Sequence, residues 1–459
     1  MNARPAEPTA GPGGPPARRP FGGLPAAAWR AVVLGLLIRE GFSFWTGHPY
    51  DFEVWIRTGH AVAAGTNPYA FWPSIPGVSI SYIGVPLPSA AYLPFWPLVT
   101  GGLYRLWEAV GGGNRFVLYF LLKQPPILGD TATALLLYRA VVAWRGDAAT
   151  ALRAVRGWSF FPYAILIGAV WGQFDSLVVA SIVAGLLARR SWGRVASHGW
   201  GIFVKWVTAI FLPLEAFAAR GLRRAEFLLG LAIPAVATVA VFVVFGWGFT
   251  NVVAASTSQS RGGGGGMNWV GVLTSPPINP FLAAHPAVGF ALSYLWVPAV
   301  LLAGWLGARW MATGRPEAVL RAMILVTLAF LLFRWGLYEQ YMLYLFVLLW
   351  LDLLLFHPDR GSLWRWTNAV AWAYLLINND LAIRFLSPLS PSVTAFTDTL
   401  DASPAYGTVR VYAGIAVAIL MTVLLARLVL VYLRDERSAD PWWRFGRPRP
   451  PTTLATAPG

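Results

Sequence analysis

Cysteine is absent from this chain of 459 residues, and charged residues make up only 12% of it. The missing cysteine excludes disulfide bonds, a thiolate nucleophile and metal sites with sulfur ligands. A soluble domain carries about a quarter of its residues as charges, so the low charge content excludes an ordinary water-soluble globular protein. Lysine is scarce as well, since only Lys123 and Lys205 occur.

The chain is correspondingly rich in apolar residues. The chain is 57% hydrophobic, contains 24 Trp and has a mean hydropathy of +0.56. Apolar runs recur from Ala27 to Leu433, many of them near the ~20 residues that a bilayer-spanning helix needs. The sequence therefore predicts an all-α, polytopic integral membrane protein with about twelve spans, near 27–45, 86–108, 116–143, 157–172, 174–189, 197–218, 226–249, 287–311, 316–335, 338–357, 364–385 and 408–433.

Proline and glycine are concentrated at both ends of the chain. Such compositions cannot bury a core. We therefore expect disordered cytoplasmic tails at 1–25 and 434–459, on either side of one membrane domain at 26–433.

The net charge of +15 comes from arginines scattered between apolar runs, which indicates membrane orientation and not nucleic-acid binding. Arginine-rich stretches are expected in the cytoplasm together with both termini: 18–19, 220–224, 309–315, 360–365 and 434–449. Arginine-poor loops are expected outside: 48–84, a large first extracytoplasmic loop, 251–286 and 387–407. Strict alternation would also place the arginine-rich stretches 144–156 and 189–194 outside, so we expect broken helices at 121–129 and 201–213.

Two carboxylates follow directly on the first apolar run. Asp51 and Glu53 begin the segment "DFEVWIRTGHAVAAG", whose pattern predicts an amphipathic helix on the membrane surface. A capping role competes with a chemical role for Asp51, because Asp is a favoured helix N-cap. Glu53 is interpreted as an ordinary first-turn acid that the helix dipole favours.

Other polar side chains interrupt apolar segments. A lysine within "GWGIFVKWVTAIFLP" is costly and indicates a function for Lys205, unless its head group snorkels to the interface. The segments "VWGQFDSL" and "RWGLYEQYMLYL" add Gln173, Asp175, Arg334, Glu339 and Gln340. These side chains could join helices by hydrogen bonds. Together they predict a polar cavity that opens outward, with cations at its floor and carboxylates at its rim.

Six motifs occur in an order that resembles the GT-C class of glycosyltransferases, which use polyprenyl-phosphate sugars. The chain is most similar to the PIG-M family, the catalytic subunit of GPI mannosyltransferase I, over roughly 39–349. The motifs are Asp51 followed by "GTNPY", "YIGVPL" from Tyr82, "GDTATALLLYR" from Gly129, "GQFDSLVVAS" from Gly172, the Lys205 segment and "EQYMLYL" from Glu339. The family's Asp-x-Asp motif has its first position at Pro49 here, which disfavours metal binding through two aspartates.

The resemblance implies an inverting transfer of a hexose, mannose above all, from a polyprenyl- or dolichyl-phosphate sugar. The acceptor would be a hydroxyl of an extracytoplasmic glycolipid or glycan, with Asp51 as general base and no cofactor. Lys205 and Arg261 would bind the donor phosphate, with Arg261 in the glycine-rich segment "SQSRGGGGGMNW" as part of a lid or of a plain flexible linker. Further candidates for substrate binding are Gln173, Asp175, Glu339, Gln340, Tyr341 and Tyr82. A small accessory membrane subunit is left open as a partner.

Two other functions compete with this interpretation. A secondary transporter or a flippase for lipid-linked sugars would also need intramembrane charges and broken helices. Such transporters usually contain inverted repeats, and the two halves of this sequence show no self-similarity. A purely structural membrane subunit is the third alternative, and the intramembrane Lys205 argues against it.

Overall fold

The structure is a computed structural model that describes residues 24–88, 92–250 and 265–439, with side chains up to residue 434. These ranges are helical without a β-strand, and extended pairing within them is limited to a bridge between Trp72 and Leu87. The prediction of an all-α fold is therefore confirmed. The helices are α1 (Ala26–Ser43), α2 (Pro49–Ala63), α3 (Phe95–Ala109), α4 (Arg115–Arg145), α5 (Ala148–Ser159), α6 (Pro162–Ile165), α7 (Asp175–Leu187), α8 (Ser191–Val204), α9 (Leu212–Ala218), α10 (Leu222–Phe245), α11 (Trp269–Leu273), α12 (Asn279–Ala284), α13 (Pro286–Tyr294), α14 (Trp296–Met311), α15 (Pro316–Phe333), α16 (Met342–Leu355), α17 (Gly361–Asn378), α18 (Pro391–Ala402) and α19 (Pro404–Ala439).

Five helical segments of the described chain are long and apolar enough to cross a bilayer: Arg115–Arg145, Leu222–Phe245, Pro286–Met311, Pro316–Phe333 and Pro404–Arg434. Shorter apolar helices lie at Pro162–Trp171, Asp175–Leu187 and Trp206–Ala218. The protein is a helical integral membrane protein, as its composition predicts. The count of twelve spans remains a prediction, and so does the disorder of the tails, because residues 1–23 and 440–459 lie outside the described residues.

Helix α16 forms the centre of the bundle. Its residues from Met342 to Leu349 are all buried, and it packs against α7, α15 and α17. A helix that is apolar on every side must be surrounded by other helices or by lipid. Its N-terminal end follows Glu339–Tyr341, a 3₁₀ turn, so the rigid core of the protein fixes the position of that polar segment.

The helix at the predicted span 86–108 is shorter than expected. Residues 86–88 and 92–94 are not helical, and α3 has only 15 residues, fewer than a bilayer requires. Helix α3 instead packs along α2, where a Cβ on Gly59 would lie 2.8 Å from the Thr100 carbonyl oxygen. Arg105 also donates to the Ala63 carbonyl at the end of α2. The two helices form one layer because glycines allow their backbones to approach closely.

The prediction of two broken helices is half right. Helix α4 runs without interruption through Pro125 and Pro126, so no break occurs at 121–129. Neighbouring helices can stabilise a proline-containing membrane helix, and α7 packs closely on this part of α4, where Ser176 donates to the Pro126 carbonyl at 2.6 Å. A break does occur at 201–213. There α8 ends at Val204, Lys205 is extended, and a 3₁₀ turn (Trp206–Phe211) leads into α9.

This break turns the chain back on itself. Arg194 in α8 forms an ion pair with Glu215 in α9 at 2.8 Å, so the two helices are antiparallel and Lys205 lies at the tip of a helical hairpin. Arg189 to Arg194 then meet Arg220 and Arg223 around one cavity. The arginine-rich stretch 189–194 therefore shares an end of the bundle with 220–224.

Candidate functional site

The first turn of α2 presents Asp51. The N-cap of this helix is His48, whose Nδ1 accepts the Asp51 amide at 3.4 Å. The capping role that competed for Asp51 therefore belongs to another residue. Burial lowers the pKa of His48 below its ordinary value of 6.5, so the ring stays neutral near pH 7 and keeps Nδ1 free to accept.

Two side chains that follow α6 bind the Asp51 carboxylate. Trp171 Nε1 donates to Asp51 Oδ2 at 2.6 Å, and Gln173 Nε2 donates to the same oxygen at 2.7 Å. Gly172 between them has a φ of +90°, and a Cβ there would lie 2.6 Å from the Phe52 ring. Only glycine fits this turn without strain. The turn holds the carboxylate in one orientation, and its other oxygen, Oδ1, remains available.

Glu53 is not the first-turn acid that the sequence suggests; it has a buried structural role. It pairs with Arg57 at 3.2 Å and accepts the Ile80 amide at 2.8 Å. Arg57 in turn donates to the carbonyls of Trp72, Tyr82 and Val85. This buried pair attaches the segment 72–88 to α2. The amphipathic pattern of α2 predicted a helix exposed on the membrane surface. The helix is buried instead, because this ion pair joins its polar side to the segment 72–88.

Lys205 is bound to a carboxylate. Its Nζ lies 2.8 Å from Asp175 Oδ2, and both side chains are buried. Asp175 also accepts the Tyr344 hydroxyl. The ammonium lies over the rings of Tyr92 and Tyr341, at 5.5 and 5.2 Å from their centroids. Because the pair is buried inside the bundle, the side chain does not snorkel to an interface.

Arg334 supplies a second cation beside the first. It follows α15, and its guanidinium lies 4.9 Å from the Tyr341 ring on which Lys205 also lies. Arg334 Nη2 donates to the Tyr341 hydroxyl at 3.3 Å. Within the described ranges no carboxylate lies within ion-pair distance of Arg334, and its buried Nε has no hydrogen-bond partner. Arg334 therefore has donors available for an anion.

Glu339, in the 3₁₀ turn before α16, is hydrogen-bonded through only one of its carboxylate oxygens. Glu339 Oε1 accepts the side-chain amides of Asn378 at 2.8 Å and Asn379 at 3.2 Å. Glu339 Oε2, Gln340 Oε1 and Gln173 Oε1 are buried without a partner. Buried polar atoms are normally hydrogen-bonded, so these free acceptors indicate a surface for a polar ligand.

Two tyrosines lie within electrostatic range of both Asp51 and these groups. Tyr92 lies close enough to Asp51, Asp175 and Lys205 for all three charges to act on its phenol. Tyr338 is likewise under the influence of Asp51, Glu339 and Arg334. Eight of the nine residues predicted for the site are described, and seven of these lie in this region: Asp51, Gln173, Asp175, Lys205, Glu339, Gln340 and Tyr341.

Tyr82 and Arg261 complete the predicted set. Tyr82 lies at the edge of the region, half-exposed, with its ring edge-on to Tyr50 at 5.5 Å. Its carbonyl accepts from Arg57, so the segment attached to α2 presents it. Arg261 lies outside the described residues, and its role at a lid remains a prediction.

Two contributors escaped the sequence analysis. Trp171 was not recognised because one Trp among 24 carries no signal. Arg334 was noted in its segment but not chosen, although an arginine at the arginine-poor end of a predicted span was a usable signal. Within the described part of the chain no group of three or more His, Asp or Glu side chains could hold a metal ion. Transfer without a metal remains a prediction.

Comparisons with known proteins add a distant structural likeness. No family model and no curated protein matches the sequence. Among solved structures, the chain is similar to the crystal structure of ArnT from Cupriavidus metallidurans bound to undecaprenyl phosphate. The TM-score is 0.41 at 17% sequence identity, over 90% of this chain and 80% of that chain.

Proposed function

We propose that this protein is a membrane glycosyltransferase that moves a sugar from a polyprenyl-phosphate donor to an acceptor hydroxyl. One observation carries the proposal. Trp171 and Gln173 orient a carboxylate, Asp51, at a single oxygen, and Tyr338 lies within electrostatic range of both this carboxylate and Arg334, a cation without a carboxylate partner in the described chain. A base and an anion-binding group are what this transfer requires, because a phosphate leaves as a stable anion and needs no general acid.

The reaction is a single displacement. The acceptor oxygen attacks the anomeric carbon, and the bond between that carbon and the phosphate oxygen breaks with its electron pair on the phosphate. Asp51 Oδ1 takes the hydroxyl proton, as a general base within hydrogen-bond reach does. Attack from the face opposite the phosphate inverts the anomeric configuration. With a hexose donor, mannose above all, a β-linked donor would give an α-linked product on a glycolipid or glycan.

Arg334 is the first ligand of the donor phosphate in this proposal. Its guanidinium can offer two parallel N–H groups to phosphate oxygens, whereas the Lys205 ammonium already donates to Asp175. Lys205 lies over the same Tyr341 ring as Arg334, and its ion pair with Asp175 balances its charge. Charge that grows on the leaving phosphate is therefore stabilised by Arg334.

A transfer assay on purified protein tests the proposal. The assay supplies a panel of synthetic polyprenyl-phosphate sugars with glycolipid acceptors, with and without a metal chelator. We expect product from at least one hexose donor, inverted at the anomeric carbon, and no loss of rate with the chelator. Arg334→Gln should raise the donor KM by about tenfold to a hundredfold, the effect of one charge-assisted hydrogen bond. Arg30→Gln, an exposed arginine in α1, is the control and should change nothing.

Transport of a lipid-linked sugar is the outcome that would replace this proposal. Movement of the donor across a vesicle membrane, without any transferred product and without dependence on Asp51, would identify a flippase.

A further inference from the structure

A second polar cavity lies at the opposite end of the helices that carry Asp175 and Lys205. It encloses about 900 Å³ between the start of α8, the end of α9, the start of α10 and the end of α14. Helices α7 and α8 have 13 and 14 residues, so about 20 Å of helix separates this cavity from the candidate site. Six arginines line it and define what we call the basic cavity: Arg189, Arg190, Arg194, Arg220, Arg223 and Arg309.

Carboxylates neutralise only part of this charge. Glu215 is buried and binds Arg194 through both oxygens, at 2.8 and 3.1 Å. Glu226, also in the lining, accepts the Ser191 amide at 3.0 Å. Four of the exposed arginines, Arg189, Arg190, Arg220 and Arg223, form no ion pair with a carboxylate of the described chain. The basic cavity therefore has a clear excess of positive charge and free guanidinium donors.

Apolar side chains surround the basic cavity. Phe217 and Trp305 are among its lining residues and are more than two-fifths exposed, and Leu222 nearby is 89% exposed. Arg309 lies over the Trp305 ring at 3.6 Å. Tryptophan and arginine together are typical of the level of lipid headgroups. An anion bound here would lie next to apolar surface, where acyl chains pack.

We propose that the basic cavity binds the phosphate of an anionic phospholipid headgroup, with the acyl chains against the exposed apolar face of α10. Guanidinium groups bind phosphate oxygens in a bidentate manner. Basic pockets between membrane helices bind headgroups of this kind. The arginine distribution predicts that this end faces the cytoplasm, so the ligand comes from the leaflet opposite the one that faces Asp51. This inference does not depend on the proposed transferase activity.

The competing explanation is that these arginines only orient the chain in the membrane. A matched pair of double variants separates the two. Arg190→Gln with Arg223→Gln removes two exposed arginines of the basic cavity. Arg30→Gln with Arg365→Gln removes the same charge from exposed arginines outside it.

The measurement is phosphatidylglycerol binding to the purified full-length chain in a phosphatidylcholine background, followed by native mass spectrometry as the lipid is titrated. We expect saturable binding that the cavity variant weakens about fivefold per arginine, or about twenty-five-fold for both. The control variant should stay within twofold of the wild-type affinity. Equal weakening in both variants, or no saturable binding at all, would overturn the proposal.

A second titration distinguishes a lipid from a soluble anion. Phosphatidylglycerol and glycerol 3-phosphate are compared by their effect on Tm in detergent. A larger rise in Tm with the lipid supports the headgroup site, since only the lipid contacts the apolar rim. An equal rise with glycerol 3-phosphate, lost in the cavity variant, would replace the lipid by a soluble phosphate and refute the inference.

Discussion

Asp51→Asn is the most informative single substitution, because asparagine preserves the shape of the side chain and removes its basicity. The asparagine oxygen can still accept from Trp171 Nε1 and Gln173 Nε2, which both bind one carboxylate oxygen. Each of these bonds loses its ionic character, which costs about 1 kcal/mol per bond from the difference between charged and neutral acceptors. The free energy of unfolding should therefore fall by only about 2 kcal/mol.

The loss of turnover should be much larger than that. A general base contributes about 10²–10⁴ in rate, which corresponds to about 3–5 kcal/mol of activation free energy. Donor binding should survive, because the phosphate contacts are made by Arg334. The assay measures kcat with the best donor of the panel, the donor KM, and the Tm of the same preparation.

The control must lower stability by a measurable amount without contact with the site. Glu53→Gln does not qualify, because Glu53 is buried and its removal leaves Arg57 unpaired. Asp147→Ala qualifies, since Asp147 caps α5 through the amides of Ala149 and Thr150, and loss of a cap costs about 1 kcal/mol. If Asp51→Asn lowers kcat no more than Asp147→Ala does, the assignment of Asp51 as the base is refuted.

Three further expectations concern the pair in the bundle, the orientation of the chain and the capping histidine. Lys205→Met should destabilise the protein by roughly 3–5 kcal/mol, because it leaves the Asp175 charge buried without a partner. Adding Asp175→Asn should restore the Tm. If the double variant also regains the donor kinetics of the wild type, the pair is only structural. A cysteine introduced at Phe71 (69% exposed) should react with an impermeant thiol reagent applied to intact cells. A cysteine introduced at Leu222 (89% exposed) should react only after the cells are opened. The reverse result would invert the proposed orientation. The pKa of His48 is lowered in the folded protein, so the unfolded chain binds more protons and stability should fall as the pH drops below about 6.5. His48→Asn keeps a capping side chain and should flatten this limb of the curve of Tm against pH. An unchanged limb would exclude His48 as its source.

The amphipathic pattern of α2 shows how far a local pattern reaches. It correctly indicated a helix, which runs from Pro49 to Ala63. It could not indicate that the polar side of this helix is buried, because Arg57 bonds to carbonyls 15 to 28 residues further along the chain. The same limit applies to α3, whose apolar residues are equally consistent with a lipid-facing span and with packing on a neighbouring helix.

The sequence by itself determined the class of the protein and the residue types available for chemistry. Low charge, long apolar runs and missing cysteine depend only on composition and order along the chain, and they require a helical membrane protein. Tertiary structure alone decided the partners. Trp171 reaches Asp51 across 120 residues, and Tyr344 reaches Asp175 across 169. Contacts at such separations depend on which helices pack together, and packing is set by small residues, breaks and turns that no local periodicity encodes.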